Sequence, residues 1–128
     1  MKTMIFKDKY HYERFSEAMK RIDFNDQLAQ AACYLLTYRQ SIWKKVKKHL
    51  KPEVFDFDEF GFFPEDTTEQ ALFNAAYDLY YGADAITVCD LGDRDYIDDE
   101  AFRAIINAVM YLRFGAEEDR AVVTTITV

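Results

Sequence analysis

Apolar side chains recur in this chain at helical spacing, segment after segment, and that periodicity limits the fold more than any other feature. Phe15, Ala18, Met19 and Ile22 fall at i, i+3, i+4 and i+7, one face of an α-helix. Asp8 stands where an N-cap carboxylate would accept the first free amides, so a helix over 9–22 is predicted. Asn25 and Asp26 offer the next cap, ahead of a stripe of Leu28, Ala31, Ala32, Leu35 and Leu36. Ile42, Trp43, Val46 and Leu50 form a third stripe. No Gly or Pro separates the second and third stripes, so the chain either bends near Tyr38–Ser41 or runs on, and Pro52 stops it.

Two further helices are predicted. Thr67-Thr68-Glu69-Gln70 reads as a capping box with Thr67 as cap. It opens a helix with one stripe of Leu72, Ala75, Ala76 and Leu79 and a second of Phe73, Tyr77 and Tyr80. Two apolar stripes imply burial on two sides, and Gly82 is placed to end the helix. The last helix is capped by Asp98, with Asp99 and Arg103 at i, i+4. Phe102, Ile105, Ile106, Val109, Met110 and Leu112 leave only a thin polar strip, so this helix is expected at the centre of the core and ends at Gly115. Residues 83–97 read as an aspartate-rich loop.

Two segments follow another period. Phe55-Asp56-Phe57-Asp58 alternates with period two, as a short strand would, within a run of five phenylalanines between 55 and 63 punctuated by Gly61 and Pro64. Ala121–Val128 is a β-branched run with Val122, Thr124, Ile126 and Val128 on one face, which reads as a strand. It would pair with Met1–Phe6 or with 54–58. The expected fold is therefore α+β and predominantly helical, with about five helices and a small β element that includes the C-terminal strand. The 128 residues suit one domain, and no internal repeat is present.

Composition excludes several classes. The 4 Gly and 2 Pro, with 16% aromatics, argue against disorder. Nothing approaches the ~20 apolar residues of a membrane helix, and Met1–Asp8 lacks a signal-peptide core, so no membrane partner and a cytoplasmic location are expected. Cys33 and Cys89 are expected reduced. Residues 1–52 carry 12 Lys/Arg against 5 Asp/Glu, whereas 53–128 carry 4 against 18. Such polarity bears on partners and steering rather than on fold.

Three stretches carry a family likeness: Tyr10-His11-Tyr12-Glu13-Arg14-Phe15, Leu72-Phe73-Asn74-Ala75-Ala76-Tyr77-Asp78-Leu79-Tyr80-Tyr81-Gly82, and Ala108-Val109-Met110-Tyr111-Leu112-Arg113-Phe114-Gly115. Together they resemble a family of small, mostly helical proteins of Gram-positive gut bacteria and their mobile elements, over about residues 6–115. The matching positions are mainly core-packing ones. The resemblance implies a bacterial cytosolic setting of phage or plasmid origin and carries over no catalytic residue.

No constellation of catalytic groups stands out. His11 and His49 have no His or Cys at zinc-ligand spacing. The acidic run from Asp90 to Glu100 lacks the glycine and glutamate positions of a calcium loop. Ser16 and Ser41 lie in helical pattern, and Asp90 disfavours a thiolate at Cys89. No cofactor and no metal are expected. Three surfaces remain. The first is acidic: Asp93, Asp95, Asp98, Asp99 and Glu100 would imitate a phosphate backbone. The second is the phenylalanine loop, where Phe60, Phe62 and Phe63, if exposed, would form a hot-spot patch. The third is basic: Lys44, Lys47, Lys48 and Lys51 share a helical face that could meet phosphates, although a solvated polar face is the simpler reading. The C-terminal strand edge would also accept a second copy of the chain, giving a homodimer. The expected function is a non-catalytic protein-binding inhibitor or regulator, in its sharpest form an anti-CRISPR or antirestriction protein that occupies a nucleic-acid-binding site, such as that of a Cas nuclease. The alternatives are a metal-dependent enzyme using the aspartate-rich loop, and nucleic-acid binding through the lysine helix.

Overall fold

Aspartate caps set the helix starts. Asp8 accepts from the His11 amide and opens α1, Lys9–Met19. Asp26 accepts from the Ala29 amide and opens α2, Gln27–Leu36. The chain turns at Thr37–Arg39, and α3 spans Gln40–Val46, followed by a 3-10 turn at Lys47–His49. A second 3-10 turn, Phe57–Phe60, precedes α4, Thr67–Tyr81. A short α5, Val88–Leu91, lies between α4 and α6, Asp99–Phe114. The computed structural model describes residues 6–22, 25–52 and 56–114.

Every regular element among the described residues is helical, which corrects the α+β expectation to an all-helical fold. Of the predicted strand at 55–58, Asp56 is instead the cap and Phe57 and Asp58 the start of the 3-10 turn, while Phe55 lies outside the described residues. Asp56 accepts from the Asp58 amide, Gly61 closes the turn at φ 56°, and Phe57 and Phe60 both reach the core. A 3-10 turn aligns i with i+3, so burying this pair selects a period of three over two. The predicted C-terminal strand at 121–128, its pairing with Met1–Phe6, the homodimer edge and the stop at Gly115 lie outside the described residues.

Other boundaries differ locally. The first helix ends at Met19 rather than Ile22, because the Lys20 and Arg21 amides turn back onto Glu17 and Ala18 carbonyls. The cap of α4 is Asp66, one residue before Thr67, since its carboxylate accepts from the Glu69 amide. Gly82 ends α4 at φ 69° as expected.

The centre of the core is α2, not the last helix. Eight of its ten residues are buried, and it packs against α4 and α6 while touching α1 and α3. Alanines are frequent on the buried faces of these helices: Ala29 and Ala32 on α2, Ala71, Ala75 and Ala76 on α4, Ala101, Ala104 and Ala108 on α6. With methyl groups on these faces, backbones approach closely and leave no space for larger side chains. By contrast α6 turns Phe102, Val109 and Phe114 outward. The second stripe of α4 does meet apolar partners, as predicted. Phe62 stacks on Phe73 at 4.4 Å, and Phe57 meets Phe73, Tyr77 and Tyr80.

Ala75→Leu should overfill the core beside α4 and lower unfolding stability by about 1–3 kcal/mol. Val88→Ala, on the exposed side of α5, should change it by less than about 0.5 kcal/mol. Urea denaturation of both variants checks the assignment of faces.

Candidate functional site

The groups that could do chemistry are mostly engaged in structure. His11 is fully buried. Its Nδ1 accepts from the Lys7 amide at 3.1 Å and its Nε2 donates to the Tyr34 carbonyl at 2.9 Å. Both nitrogens are satisfied only in the neutral ring, and burial lowers its pKa to about 4, against a smaller upward pull from the Tyr34 carbonyl. Cys33 is buried, and desolvation pushes its thiol well above the usual range. Cys89 is exposed. Glu69 is 1% exposed, and its carboxylate accepts from the Ser41 hydroxyl and the Glu65 amide and lies 3.6 Å from Lys45.

A charged clasp joins elements far apart in sequence. Arg39 donates to both Glu100 oxygens, at 2.8 and 3.2 Å, and reaches Asp66 at 3.0 Å. The Glu100 hydrogen bond is the main cause holding the Arg39 guanidinium charged. Lys7 lies 4.0 Å from Glu100. Thus Glu100, expected on the partner-binding surface, is a half-buried structural ion. Asp98 is a cap as well: it accepts from the Ala101 amide at 2.9 Å and from the Thr68 hydroxyl.

Asp93 and Asp95 lie on a strap, residues 82–98, that connects α4 to α6. Carboxylates within and beside it bind its own backbone. Asp78 accepts from the Ala85 and Ile86 amides at 2.9 and 2.7 Å. Thr87 and Asp90 form a reciprocal capping box around α5. Asp93 accepts from the Asp95 amide at 3.0 Å, and its carbonyl accepts from the Tyr96 and Ile97 amides. Ile86, Leu91, Tyr96 and Ile97 anchor the strap to the core. What it turns outward is Asp84, Val88, Asp93 and Asp95, with Val88 87% exposed. Asp99, just past the strap, is exposed and 4.0 Å from Arg94. The loop read from sequence is therefore a braced, acidic platform with an apolar tip. Sequence reasoning missed Asp84, Val88 and Asp78, although the Thr87–Asp90 spacing is a legible capping signal.

The other predicted sets are divided by the fold. Phe60 is 3% exposed and belongs to the core, Phe62 is half-buried on Phe73, and only Phe63 is exposed, at 81%. Lys45 fixes this loop by donating to the Phe63 carbonyl at 3.0 Å and pairing with Glu65 at 3.2 Å. The lysine face does not survive as one helical stripe. The α-helix ends at Val46, so Lys44 is on α3, Lys47 and Lys48 are in the 3-10 turn, and Lys51 lies beyond it. Lys47 is half-buried and its carbonyl accepts from Arg21. Among the described residues, no group of three His, Cys, Asp or Glu is arranged to hold a metal ion, and no helix is long and apolar enough to cross a membrane.

The chain matches no family model, no curated protein and no solved structure.

Acid should act first through His11. Its folded pKa lies below the unfolded value of about 6.5, so the unfolded chain binds the proton more readily. The stability it contributes is complete above pH ~6.5 and is lost as pH falls toward 4, by roughly 3 kcal/mol at most. Asp8 and Asp66, held below the usual carboxylate range mainly by backbone amides, lose their contribution only at lower pH. Chemical denaturation between pH 7 and 4 should show this slope, and His11→Gln should flatten it.

Proposed function

We propose that the chain is a non-catalytic protein-binding inhibitor or regulator whose acidic strap occupies a basic, nucleic-acid-handling surface of its partner. One observation supports this most: the strap's outward carboxylates and Val88 are presented on a backbone already fixed by side-chain bonds and core anchors. A surface ordered before binding avoids the entropy cost of ordering on contact. Six aspartates against one arginine between residues 83 and 99 give a field that steers toward a basic cleft. An apolar side chain at the tip supplies the desolvated contact that charge alone does not. In its sharpest form the partner is a nuclease of a bacterial defence system, and the protein acts as an anti-CRISPR or antirestriction inhibitor.

The test is a tagged pull-down of the full chain from bacterial lysate supplied with an RNA-guided nuclease and its guide, at low and high salt, read by mass spectrometry. One stoichiometric protein partner, weakened by salt, is expected. Asp84→Lys with Asp95→Lys should reduce its binding by about tenfold or more while leaving the circular dichroism spectrum unchanged. Recovery of nucleic acid alone, or equal capture by the charge-reversed chain, would overturn the proposal.

A further inference from the structure

The outward face of α6 carries an apolar stripe beside Arg103, with no partner element among the described residues. Ala101, Ala104, Ile105 and Ala108 face the core. Away from it lie Phe102 and Val109, 36% and 42% exposed, and the half-buried Ile106 and Met110, with exposed Arg103 beside Met110. Asp99 and Arg113 occupy the two ends of the same face. At 100° per residue, Asp99, Ile106 and Arg113 fall within about 40° of one another, and each charged residue stands seven positions from Ile106.

That spacing is self-complementary. If a second, identical helix is laid antiparallel with the two-fold axis at Ile106, Asp99 of each copy meets Arg113 of the other. Phe102 then faces the Val109–Met110 turn, and Ile106 faces its own copy. This is the arrangement of an isologous contact, in which one patch pairs with itself. The parallel arrangement would instead put Asp99 beside Asp99 and Arg113 beside Arg113. Asp99 sits in the first turn and Arg113 in the last, where each already favours the helix dipole, so antiparallel pairing also opposes the two dipoles. Among the described residues, the recorded neighbours of the charged pair are weak competitors. Arg94 and Asp99 are highly exposed at 4.0 Å, and Arg113 lies over the neighbouring Phe114 ring. Exposed pairs of this kind contribute little.

We infer that the outer face of α6 is an antiparallel homodimer contact, centred on Ile106 and registered by two Asp99–Arg113 pairs between copies. It does not depend on the strap or its partner.

Sedimentation equilibrium of the full chain over a range of concentrations tests this, with circular dichroism as a check on folding. A monomer–dimer equilibrium is expected. Asp99→Lys and Arg113→Glu should each weaken the dimer by about tenfold, and the double reversal should restore it to within ~3-fold. In a Cys89→Ser background, Ile106→Cys should form an intermolecular disulfide on mild oxidation, while Lys48→Cys should not. A monomer at every concentration overturns the proposal. So does a dimer that ignores the charge reversals and fails to cross-link at position 106.

Discussion

A helix buried on nearly every side needs every polar group at its ends to find a partner, and α2 is such a helix. Its amino end is closed by Asp26. Its carboxyl end is closed largely by α1. His11 takes the Tyr34 carbonyl, and Arg14 takes the Thr37 and Tyr38 carbonyls at 2.7 and 2.9 Å. Thr37 folds its own hydroxyl back onto the Cys33 carbonyl. Unpaired carbonyls in an apolar interior cost about 1–3 kcal/mol each, so α1 acts as a polar lid as much as an apolar one. The same contacts fix where the chain turns toward α3 and therefore where Arg39 can reach Glu100 and Asp66.

From that centre the outer parts acquire their positions. The alanine-rich faces let α4 and α6 pack against α2. The Arg39 clasp and the Thr68–Asp98 bond join the starts of α4 and α6. The strap then spans a fixed gap, and its length is taken up by α5 and the Asp93 turn. Acidic residues serve two purposes in this scheme. Some, such as Asp78, Asp90 and Asp98, hold backbone amides. Others, such as Asp84 and Asp95, are left to give the platform its field.

Much of this was legible in the chain. Asp8 and Asp98 are read correctly as caps, Asp26 as one of two candidates with Asn25, Gly82 as a stop, and the five segments of apolar periodicity as helices. What failed had physical causes. In Asp66-Thr67-Thr68 each residue can cap, and only the buried position of Glu69 selects Asp66. Alternation at 55–58 is compatible with a strand until Phe57 and Phe60 are known to share one pocket of the core. The centrality of α2 comes from alanines, whose small size weakens an apolar pattern while permitting the closest packing. Glu100 and Arg39 are 61 residues apart, so no local pattern could separate that structural carboxylate from the exposed acids beside it.

The strap's own side chains order it before any partner arrives. Residue-resolved amide hydrogen exchange of the isolated protein tests this most directly. The amides of Ala85, Ile86, Asp90 and Asp95, each bonded to a side-chain oxygen, should exchange at least about tenfold more slowly than an open chain, and Asp78→Ala should release Ala85 and Ile86 selectively. Exchange of these four amides at open-chain rates, while α2 stays protected, would mean that the free strap is not ordered.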